Sequence, residues 1–425
     1  MLDIKLIREN PELVRLDLKK RNDPEKLKWL DDLIIRDLEY RKLLQQAQAL
    51  RSERNKIAEN INQLKKQGKD ISKLLKDVKE IPSRIAEIEK KSAKLKEKVD
   101  FYLMRLPNIL HSSVPFGKDD SENVEVHRFG SPPKFDFTPK NHVEIAEGLG
   151  LIDFERAAKV SGSGFFYLKG NLARLDMALQ HFAIDHLSSK GFVAIEPPLM
   201  LKRKPYEGVT DLADFESVMY KIENDDLYLI ATSEHPMASM YMDDILDKKD
   251  LPLKLCGLSP CFRREVGTHG KYTKGLFRVH NFNKVEQFIF CLPEESWQLH
   301  EEIQKNSEEL YQKLGLHYRV VNICTGDIGS IAAKKYDIEV WMADGKFRES
   351  GSNSNCTDYQ ARRLNIRFRE KEGLVPIGPV HTLNNTAIAT SRIMIAILEQ
   401  FQQKDGSVVI PKVLQPYMNG LKVLK

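Results

Sequence analysis

Apolar side chains recur at alternating steps of four and three residues along positions 26–106. Of eleven positions counted in this way over residues 29–64, nine are apolar or aromatic, and a second such series covers residues 78–106. The polar, glycine-containing segment KKQGKD (65–70) separates the two series. Two helices with one apolar seam each, joined by a short turn, predict an antiparallel coiled-coil hairpin. A helix of some 40 residues would be about 60 Å long, and Pro82 is expected to kink the second one.

Beyond this arm the pattern becomes mixed. The segment 106–123 is rich in turn-forming residues and predicts a linker, so we expect an N-terminal domain at 1–106 and a second domain at 107–425. The second domain is predicted to contain helices near 172–189, 294–314 and 391–403, and strands near 192–196, 227–231, 254–258, 276–281, 284–290, 318–323, 337–341 and 346–350. Neighbouring strands with irregularly interspersed helices favour an α+β fold with a mostly antiparallel sheet.

Composition narrows the class of protein. The 425 residues are 41% hydrophobic and 30% charged, which is typical of a soluble globular protein. The five cysteines form no CxxC pair, which favours reduced thiols and argues against a disulfide framework or a zinc knuckle. We find neither a signal-peptide pattern nor an apolar run long enough to span a membrane, and therefore expect a cytoplasmic protein.

Positive charge is concentrated on the predicted arm. Residues 41–98 contain 17 Lys or Arg and 8 Asp or Glu, a net charge of +9, whereas the whole chain carries +5 and the remainder therefore −4. The charges could simply solvate a helical surface. Alternatively, the arm could bind the phosphates of a nucleic acid, which its protruding, basic character favours.

The densest group of candidate functional residues lies in segment 260–287. It predicts two antiparallel strands joined by the basic loop THGKYTKG (268–275). Arg263 and Glu265 would share a strand face, Arg264 would point to the opposite face, and Arg278 with Phe282 would lie on the partner strand. Arginine offers a bidentate fork to carboxylate or phosphate, although a charged hairpin on a solvated sheet face would have the same pattern.

Three further segments place polar residues at strand ends. LIATSEHP (229–236) follows an apolar strand, and its Thr, Ser and Glu could cap the next helix. RESGSNSNC (348–356) predicts a strand and then a Ser/Asn/Gly loop, in which Glu349 could bind a metal or be a surface charge. Arg392 lies in the first turn of the last helix, where a cation is unfavourable, so we expect it to have an anionic partner. GxGxxG and GxxxxGK[ST] are both absent from the sequence.

Together these segments resemble the class II aminoacyl-tRNA synthetases, and among them the seryl-tRNA synthetase family, over essentially the whole chain. The segment GFVAIEPPLML, which contains Pro198, is similar to the first class motif, FRREVG with GLFRVHNFNKVEQF to the second, and NNTAIATSR to the third. The N-terminal MLDIKLIRENPE and the coiled-coil hairpin resemble the tRNA-binding domain of that family. TSE (232–234), ESGS (349–352), SNCTDYQARR and TLNNTA resemble its serine-specific segments.

The resemblance implies a role for each matching residue. The ATP-binding set would be Arg263, Arg264, Glu265, Arg278, Val279, Phe282, Glu349, Ser350, Gly351, Ser352 and Arg392. The serine-binding set would be Thr232, Ser233, Glu234, Arg263, Glu286, Asn385 and Thr386. Glu349 and Ser352 would hold Mg²⁺, while Arg263, Arg392 and Glu349 would be the catalytic residues.

Within these sets, Arg263 would contact the α-phosphate of ATP and the serine carboxylate. Glu265 would accept a hydrogen bond from adenine or hold Arg263, Phe282 would stack on adenine, and Arg392 would contact the γ-phosphate. Glu286 and Thr386 would bind the serine hydroxyl.

The implied activity is the ATP-dependent attachment of serine to tRNA(Ser), and to tRNA(Sec) where that tRNA exists. The serine carboxylate attacks the α-phosphorus and pyrophosphate leaves, and a terminal ribose hydroxyl of the tRNA then attacks the activated carbonyl. Catalysis requires positioning and charge stabilisation. The resemblance further implies tRNA binding by the arm, a homodimer built on the motif around Pro198, and no zinc.

Three alternatives have different sequence signatures. Class II enzymes for threonine or proline carry a further domain after the third motif, whereas 33 residues follow Arg392 here. Relatives that charge a carrier protein lack the long basic hairpin. A coiled-coil RNA-binding protein without enzymatic activity would have no use for Arg263, Glu349 and Arg392 together.

Overall fold

The computed structural model describes residues 1–213, 215–265 and 275–425. The basic loop at 268–275, including His269, therefore lies outside the described residues except for Gly275. The chain forms two compact units, Met1–Pro107 and Asn108–Lys425. Of the helices in the described ranges, none is long and apolar enough to cross a membrane.

The first unit consists of four helices. They are α1 (Ile4–Glu9), α2 (Pro11–Lys20), α3 (Pro24–Lys66) and α4 (Ser72–Leu103). The two short helices at the N-terminus were not predicted. Their starts are nevertheless encoded locally, because Asp3 and Asn10 accept capping hydrogen bonds and Pro11 occupies the first turn of α2.

The long helices α3 and α4 form the predicted hairpin. Seam residues Leu50, Ile81 and Ile85 are buried together between the two helices, as the four–three spacing predicted. The helix α4 continues through Pro82, whose missing N–H removes one intrahelical hydrogen bond. This hairpin and the sheet described below confirm the predicted α+β fold.

The second unit is built on one large sheet. Its helices are α5 (His142–Gly148), α6 (Phe154–Ser161), α7 (Gly170–Ser188), α8 (Arg203–Val209), α9 (Phe215–Val218), α10 (Glu234–Ser239), α11 (Ser296–Leu314), α12 (Tyr359–Leu364) and α13 (Thr390–Gln400). Its strands are β1 (Val124–Phe129), β2 (Ile152–Asp153), β3 (Tyr167–Leu168), β4 (Val193–Ile195), β5 (Met200–Lys202), β6 (Leu227–Leu229), β7 (Ile245–Asp247), β8 (Leu253–Phe262), β9 (Asn281–Cys291), β10 (Tyr318–Asn322), β11 (Lys334–Trp341), β12 (Phe347–Thr357), β13 (Arg367–Arg369), β14 (Gly378–Pro379), β15 (His381–Ala389), β16 (Val408–Val409) and β17 (Val423–Leu424).

Eight strands form the main sheet, in the order β1-β10-β11-β12-β15-β9-β8-β4. All of its pairs are antiparallel except β4 with β8 at the edge. Helices α7, α11 and α13 contribute apolar side chains to the main core together with the sheet. The antiparallel order brings β12, β15, β9 and β8 side by side. Eight of the predicted site residues lie on β12, β15 and β9, namely Phe282, Glu286, Glu349, Ser350, Gly351, Ser352, Asn385 and Thr386.

Three predicted boundaries were wrong. Strand β8 ends at Phe262, so Arg263 and Glu265 follow the strand, and Glu265 has a left-handed backbone with a φ of 47°. Residues 276–280 form turns and bends, and the partner strand begins at Asn281. The predicted loop in 348–356 is part of β12, which continues to Thr357.

Candidate active site

A cavity of about 450 Å³ opens beside the central strands and is lined by charges of both signs. Its acidic and basic side chains are Asp211, Glu234, Glu265, Glu286, Glu349, Arg263, Arg278, Lys284, Lys335 and His235. Thr232, Ser352, Ser354, Asn384 and Thr386 add polar groups. So many charges around one small volume are typical of a site that binds polar, charged ligands.

One wall of the cavity is formed by β9 and β15. Glu286 and Thr386 are directly paired across these strands, so their side chains point to the same face. The Thr386 hydroxyl donates a hydrogen bond to Glu286 Oε2 over 3.2 Å, and both side chains are buried. The two residues assigned to the serine hydroxyl thus lie in contact.

Glu234, in the first turn of α10, has its carboxylate fixed by two amides. Gln360 Nε2 and Asn384 Nδ2 both donate to Glu234 Oε1, over 3.1 and 3.2 Å. Burial and the neighbouring Glu286 raise the pKa of Glu234 to about 7, although Lys284 opposes the shift. The backbone N–H of Glu234 donates to Thr232 Oγ1, whereas Ser233, the N-cap residue of α10, makes no side-chain capping hydrogen bond.

Two residues of the expected serine set are not brought to the cavity. Asn385 points to the other face of β15, where its Nδ2 donates to the carbonyl of Ile303 over 2.6 Å. The Ser233 hydroxyl is fully buried and donates to the carbonyl of Gly257. The strand neighbour Asn384 lines the cavity instead, because alternate side chains of β15 face it.

Two arginines of the second motif, Arg263 and Arg278, also line the cavity. The guanidinium of Arg263 stacks over the ring of Phe282 at 5.2 Å, and its Nε donates to the carbonyl of Ala231. Glu265 pairs with Arg278 and not with Arg263, at 2.5 Å between Oε2 and Nε. Of the two roles expected for Glu265, an ion pair that holds Arg263 is therefore not seen, and the carboxylate pairs with Arg278 instead.

Six members of the expected ATP-binding set are not among the residues that line the cavity, namely Arg264, Val279, Phe282, Ser350, Gly351 and Arg392. Arg264 is exposed and its backbone N–H donates to the carbonyl of Val218. Val279 is buried, and the Ser350 hydroxyl accepts a hydrogen bond from Tyr311 inside the core. Gly351 faces β15: a Cβ built on it would lie 3.1 Å from the Cβ of Thr386. A side chain at this position would require Thr386 to move by a few tenths of an ångström.

Glu349 and Ser352 face the cavity together because of an irregularity in β12. Glu339 pairs with Glu349 while the next residue back, Ile338, pairs with Gly351, so Ser350 is an extra, bulged residue. In a regular strand, residues three apart point to opposite faces, and one bulged residue restores a common face. Ser352 Oγ consequently lies 3.3 Å from Glu349 Oε1.

Arg392, at the start of α13, contacts the same carboxylate. Its Nη1 donates to the carbonyl oxygen of Glu349 over 2.7 Å and lies 3.5 Å from Oε1. Desolvation opposes ionisation of Glu349, but the positive charges of Arg392, Lys335 and Arg263 outweigh it and hold the pKa of Glu349 below its ordinary value. The anionic partner expected for Arg392 is therefore found within the chain.

Two cavity residues were missed by the sequence analysis but carry a readable signal. Lys284 lies between Phe282 and Glu286 on β9, and period-two alternation puts all three on one face. The same alternation on β15 selects Asn384 and Thr386 and excludes Asn385. Lys335 had no comparable signal, because it depends on how β11 pairs with β12.

The chain is similar to characterised proteins over its full length. The family model for the class II tRNA synthetase core domain (G, H, P, S and T) matches residues 217–401, and that for the seryl-tRNA synthetase N-terminal domain matches residues 1–110. Serine–tRNA ligases from Methanospirillum hungatei and Methanocella arvoryzae are each 60% identical to this chain over 425 residues, covering 100% of both chains.

Solved structures agree with these matches. The crystal structure of seryl-tRNA synthetase from Pyrococcus horikoshii complexed with ATP has a TM-score of 0.96 and 54% identity, covering 100% of this chain and 99% of that chain. Cytoplasmic serine–tRNA ligase from Naegleria fowleri in complex with AMP gives 0.90 and 34%, with the same coverage. The resemblance drawn from the motifs is thereby confirmed. The chain belongs to the seryl-tRNA synthetase family of class II aminoacyl-tRNA synthetases, a family of ATP-dependent ligases.

Proposed function

We propose that this protein activates L-serine with ATP to form seryl-adenylate and transfers the seryl group to the 3′ end of tRNA(Ser). The observation that carries the proposal is the combination of groups that line one cavity. Glu234, Glu286 and Thr386 supply carboxylates and a hydroxyl, and Arg263 and Arg278 supply guanidinium groups. A small zwitterion with a hydroxyl group and a polyphosphate would both find complementary partners among these groups.

On the serine side, the ionised carboxylate of Glu234 would bind the substrate ammonium group. Glu286 and Thr386 would bind its hydroxyl, since a carboxylate oxygen accepts and a threonine hydroxyl can do either. Alanine would leave these buried groups without a partner, which costs free energy and disfavours its activation. Threonine would need room for an additional methyl group in a closely packed pocket.

On the ATP side, Arg263 would bridge the serine carboxylate and the α-phosphate and so hold the two reactants together. Its stacking on Phe282 orients the guanidinium, and the same ring is the candidate surface for adenine. Negative charge moves from the attacking carboxylate to the departing pyrophosphate as the bond to the α-phosphorus changes. Arg278 and Arg392 would stabilise that charge, and pre-oriented cations of this kind contribute strongly to catalysis.

Mg²⁺ fits the donor set at Glu349 and Ser352. Adjacent carboxylate and hydroxyl oxygens are the hard ligands it prefers, and Mg²⁺ commonly takes one or two protein ligands plus phosphate oxygens and water. The described residues contain no cluster of three or more His, Cys, Asp or Glu side chains suited to a metal, which is consistent with an ion shared with the nucleotide. The ion would neutralise phosphate charge.

The basic helical hairpin would bind the tRNA. Its support is the net charge of +9 on residues 41–98, carried mainly by exposed lysines and arginines on the solvent faces of α3 and α4. Because such a protein would act on tRNA in translation, we also propose a cytoplasmic location.

A homodimer would form through the motif around Pro198. The motif contains β4, which is an edge strand of the main sheet, and the nearby apolar side chains of Val193, Leu199 and Met200 are exposed. An exposed edge with apolar residues favours association. Sedimentation analysis of the wild-type protein and of V193E tests this part: we expect a dimer that the charged substitution dissociates.

Serine-dependent exchange of pyrophosphate into ATP, measured with each of the twenty amino acids, tests the main proposal. We expect exchange with serine and at least about 100-fold less with alanine, because the site contains dedicated hydroxyl-binding groups. Exchange that is independent of serine, or equal with alanine, would contradict the proposal.

A further inference from the structure

Lys284 is a buried cation in the cavity that the proposed mechanism does not use. It lies on β9, two residues before Glu286, and is only 6% exposed. Its Nζ is 2.5 Å from Glu286 Oε2, the same oxygen that accepts from the Thr386 hydroxyl. Glu286 Oε2 therefore has two donors, both supplied by the protein.

Oε1 is the remaining oxygen of this carboxylate. A buried carboxylate that is held through one oxygen has a defined orientation and offers the other oxygen to a ligand. We propose that Lys284 is a positioning residue for serine recognition, which fixes Glu286 Oε2 so that Oε1 accepts a hydrogen bond from the substrate hydroxyl. This inference rests on the proposed serine specificity of the same cavity.

The charge balance of the pocket supports this role. Glu234 from α10 and Glu286 from β9 would otherwise face each other across a pocket that receives one substrate ammonium group. Lys284 and Arg263 supply the two cations that face these carboxylates, His235 packs beside them, and the Cys261 thiol is buried nearby. The positive charge of Lys284 opposes the increase in the pKa of Glu234, which keeps more of that carboxylate ionised.

Lys284 differs in this respect from an ordinary counter-ion at the protein surface. Exposed ion pairs contribute little, whereas removing one partner of a buried pair leaves a charge without compensation. Removal of the Lys284 charge would therefore affect Glu286 and serine binding more than ATP binding. The groups proposed for the ATP side, Glu349 and Ser352, lie on a different strand.

The test compares Lys284→Met with Lys284→Gln in the full-length protein, by serine-dependent pyrophosphate exchange. Methionine retains the length of the side chain without charge or donor, and glutamine retains a donor without charge. For the methionine variant we expect KM for serine to increase at least about tenfold and selectivity against alanine to fall by about the same factor, with KM for ATP changed less than about twofold. Glutamine should restore part of the serine affinity.

Two additional measurements distinguish a positioning role of Lys284 from a mere contribution to folding. Because the charge of Lys284 lowers the pKa of Glu234, both variants should shift the acid limb of kcat/KM for serine to higher pH. The double variant Lys284→Met with Glu286→Gln should have no larger effect on serine KM than Glu286→Gln alone, because both changes act through one carboxylate.

Several outcomes would overturn the inference. They are an unchanged serine KM and pH profile with only a reduced Tm, an increase in KM for ATP without one for serine, or additive effects in the double variant. The wild-type protein provides the separate control, because absence of serine-dependent exchange there would overturn the proposed function and not the role of Lys284.

Discussion

The hydroxyl of Ser352 lies 3.3 Å from the carboxylate of Glu349, although the two residues are three apart on one strand. The bulge at Ser350 places them side by side and turns the intervening hydroxyl into the core, toward Tyr311. A single additional residue thus brings together the two oxygens that we propose as Mg²⁺ ligands.

Substituting this pair should change the magnesium requirement. We expect Glu349→Gln to lower pyrophosphate exchange at least about 100-fold and to require more Mg²⁺, because a carboxylate is the stronger ligand. Ser352→Ala should have a smaller effect in the same direction. Titration with MgCl₂ checks both. Ser350→Ala is the matched control: it should cost about 1 kcal/mol of stability through loss of the hydrogen bond from Tyr311 and leave the magnesium dependence unchanged.

Arg263 and Arg264 should differ although they are adjacent. Arg263→Ala removes one of the cations that line the cavity and should reduce exchange by at least about 100-fold, with the largest effect on kcat. Arg264 is exposed outside the cavity lining, so Arg264→Ala should reduce exchange by less than about fivefold. Equal losses in the two variants would place Arg264 in the nucleotide site after all.

Serine binding should weaken as the pH falls through about 7. Glu234 has a pKa of about 7, and its protonated form cannot pair with the substrate ammonium group. The acid limb of kcat/KM for serine should therefore lie near pH 7 and disappear in Glu234→Gln, whose serine KM should be high at every pH. If the acid limb of kcat/KM persisted in Glu234→Gln, a group other than Glu234 would be responsible for the pH dependence.

The raised pKa of Glu234 also predicts that folding stability, unlike serine binding, decreases as the pH rises through about 7. Because the folded-state pKa of Glu234 exceeds the ordinary value of 4.5, the folded protein binds this proton more tightly. The resulting stabilisation is present below pH 4.5 and is lost as the pH rises through about 7. Glu234→Gln should consequently increase Tm relative to wild type more at pH 8 than at pH 5.

Asn384 and Asn385 form a natural pair of test positions. Asn384→Ala removes a donor to Glu234 and should raise serine KM about tenfold with a small change in Tm. Asn385→Ala removes a buried hydrogen bond to Ile303, so it should lower stability by about 1–3 kcal/mol and leave serine KM nearly unchanged. Melting curves and exchange kinetics on both variants would show whether alternation along β15 assigns the roles correctly.

Replacing residues 41–98 by a short Gly-Ser turn should separate the two half-reactions. Serine activation requires groups of the second unit and should continue, whereas charging of tRNA should fall at least about 100-fold because phosphate contacts are lost. In the intact protein, charging should also weaken steeply with salt while exchange does not. Undiminished charging by the shortened protein would exclude the arm as the tRNA reader.

Local patterns predicted those parts of the molecule that depend on local periodicity. The coiled-coil hairpin followed from the apolar seam, and the face shared by Glu286 and Thr386 is consistent with strand alternation. Asn385 shows the limit of motif matching, because alternation along β15 directs its side chain away from the cavity that Asn384 and Thr386 line. The pairing of Glu265 with Arg278 could not be read from spacing, since it depends on where β8 ends and on a left-handed residue.

Gly351 lies at a close approach between β12 and β15. Its strand and the strand of Thr386 approach so closely that even a methyl group would meet Thr386. Under the proposed assignments, β12 binds the nucleotide and Thr386 on β15 binds serine, and the two strands are in direct contact at this point. A displacement of β12 on binding of ATP would then move Thr386, which predicts that each substrate changes the affinity of the protein for the other.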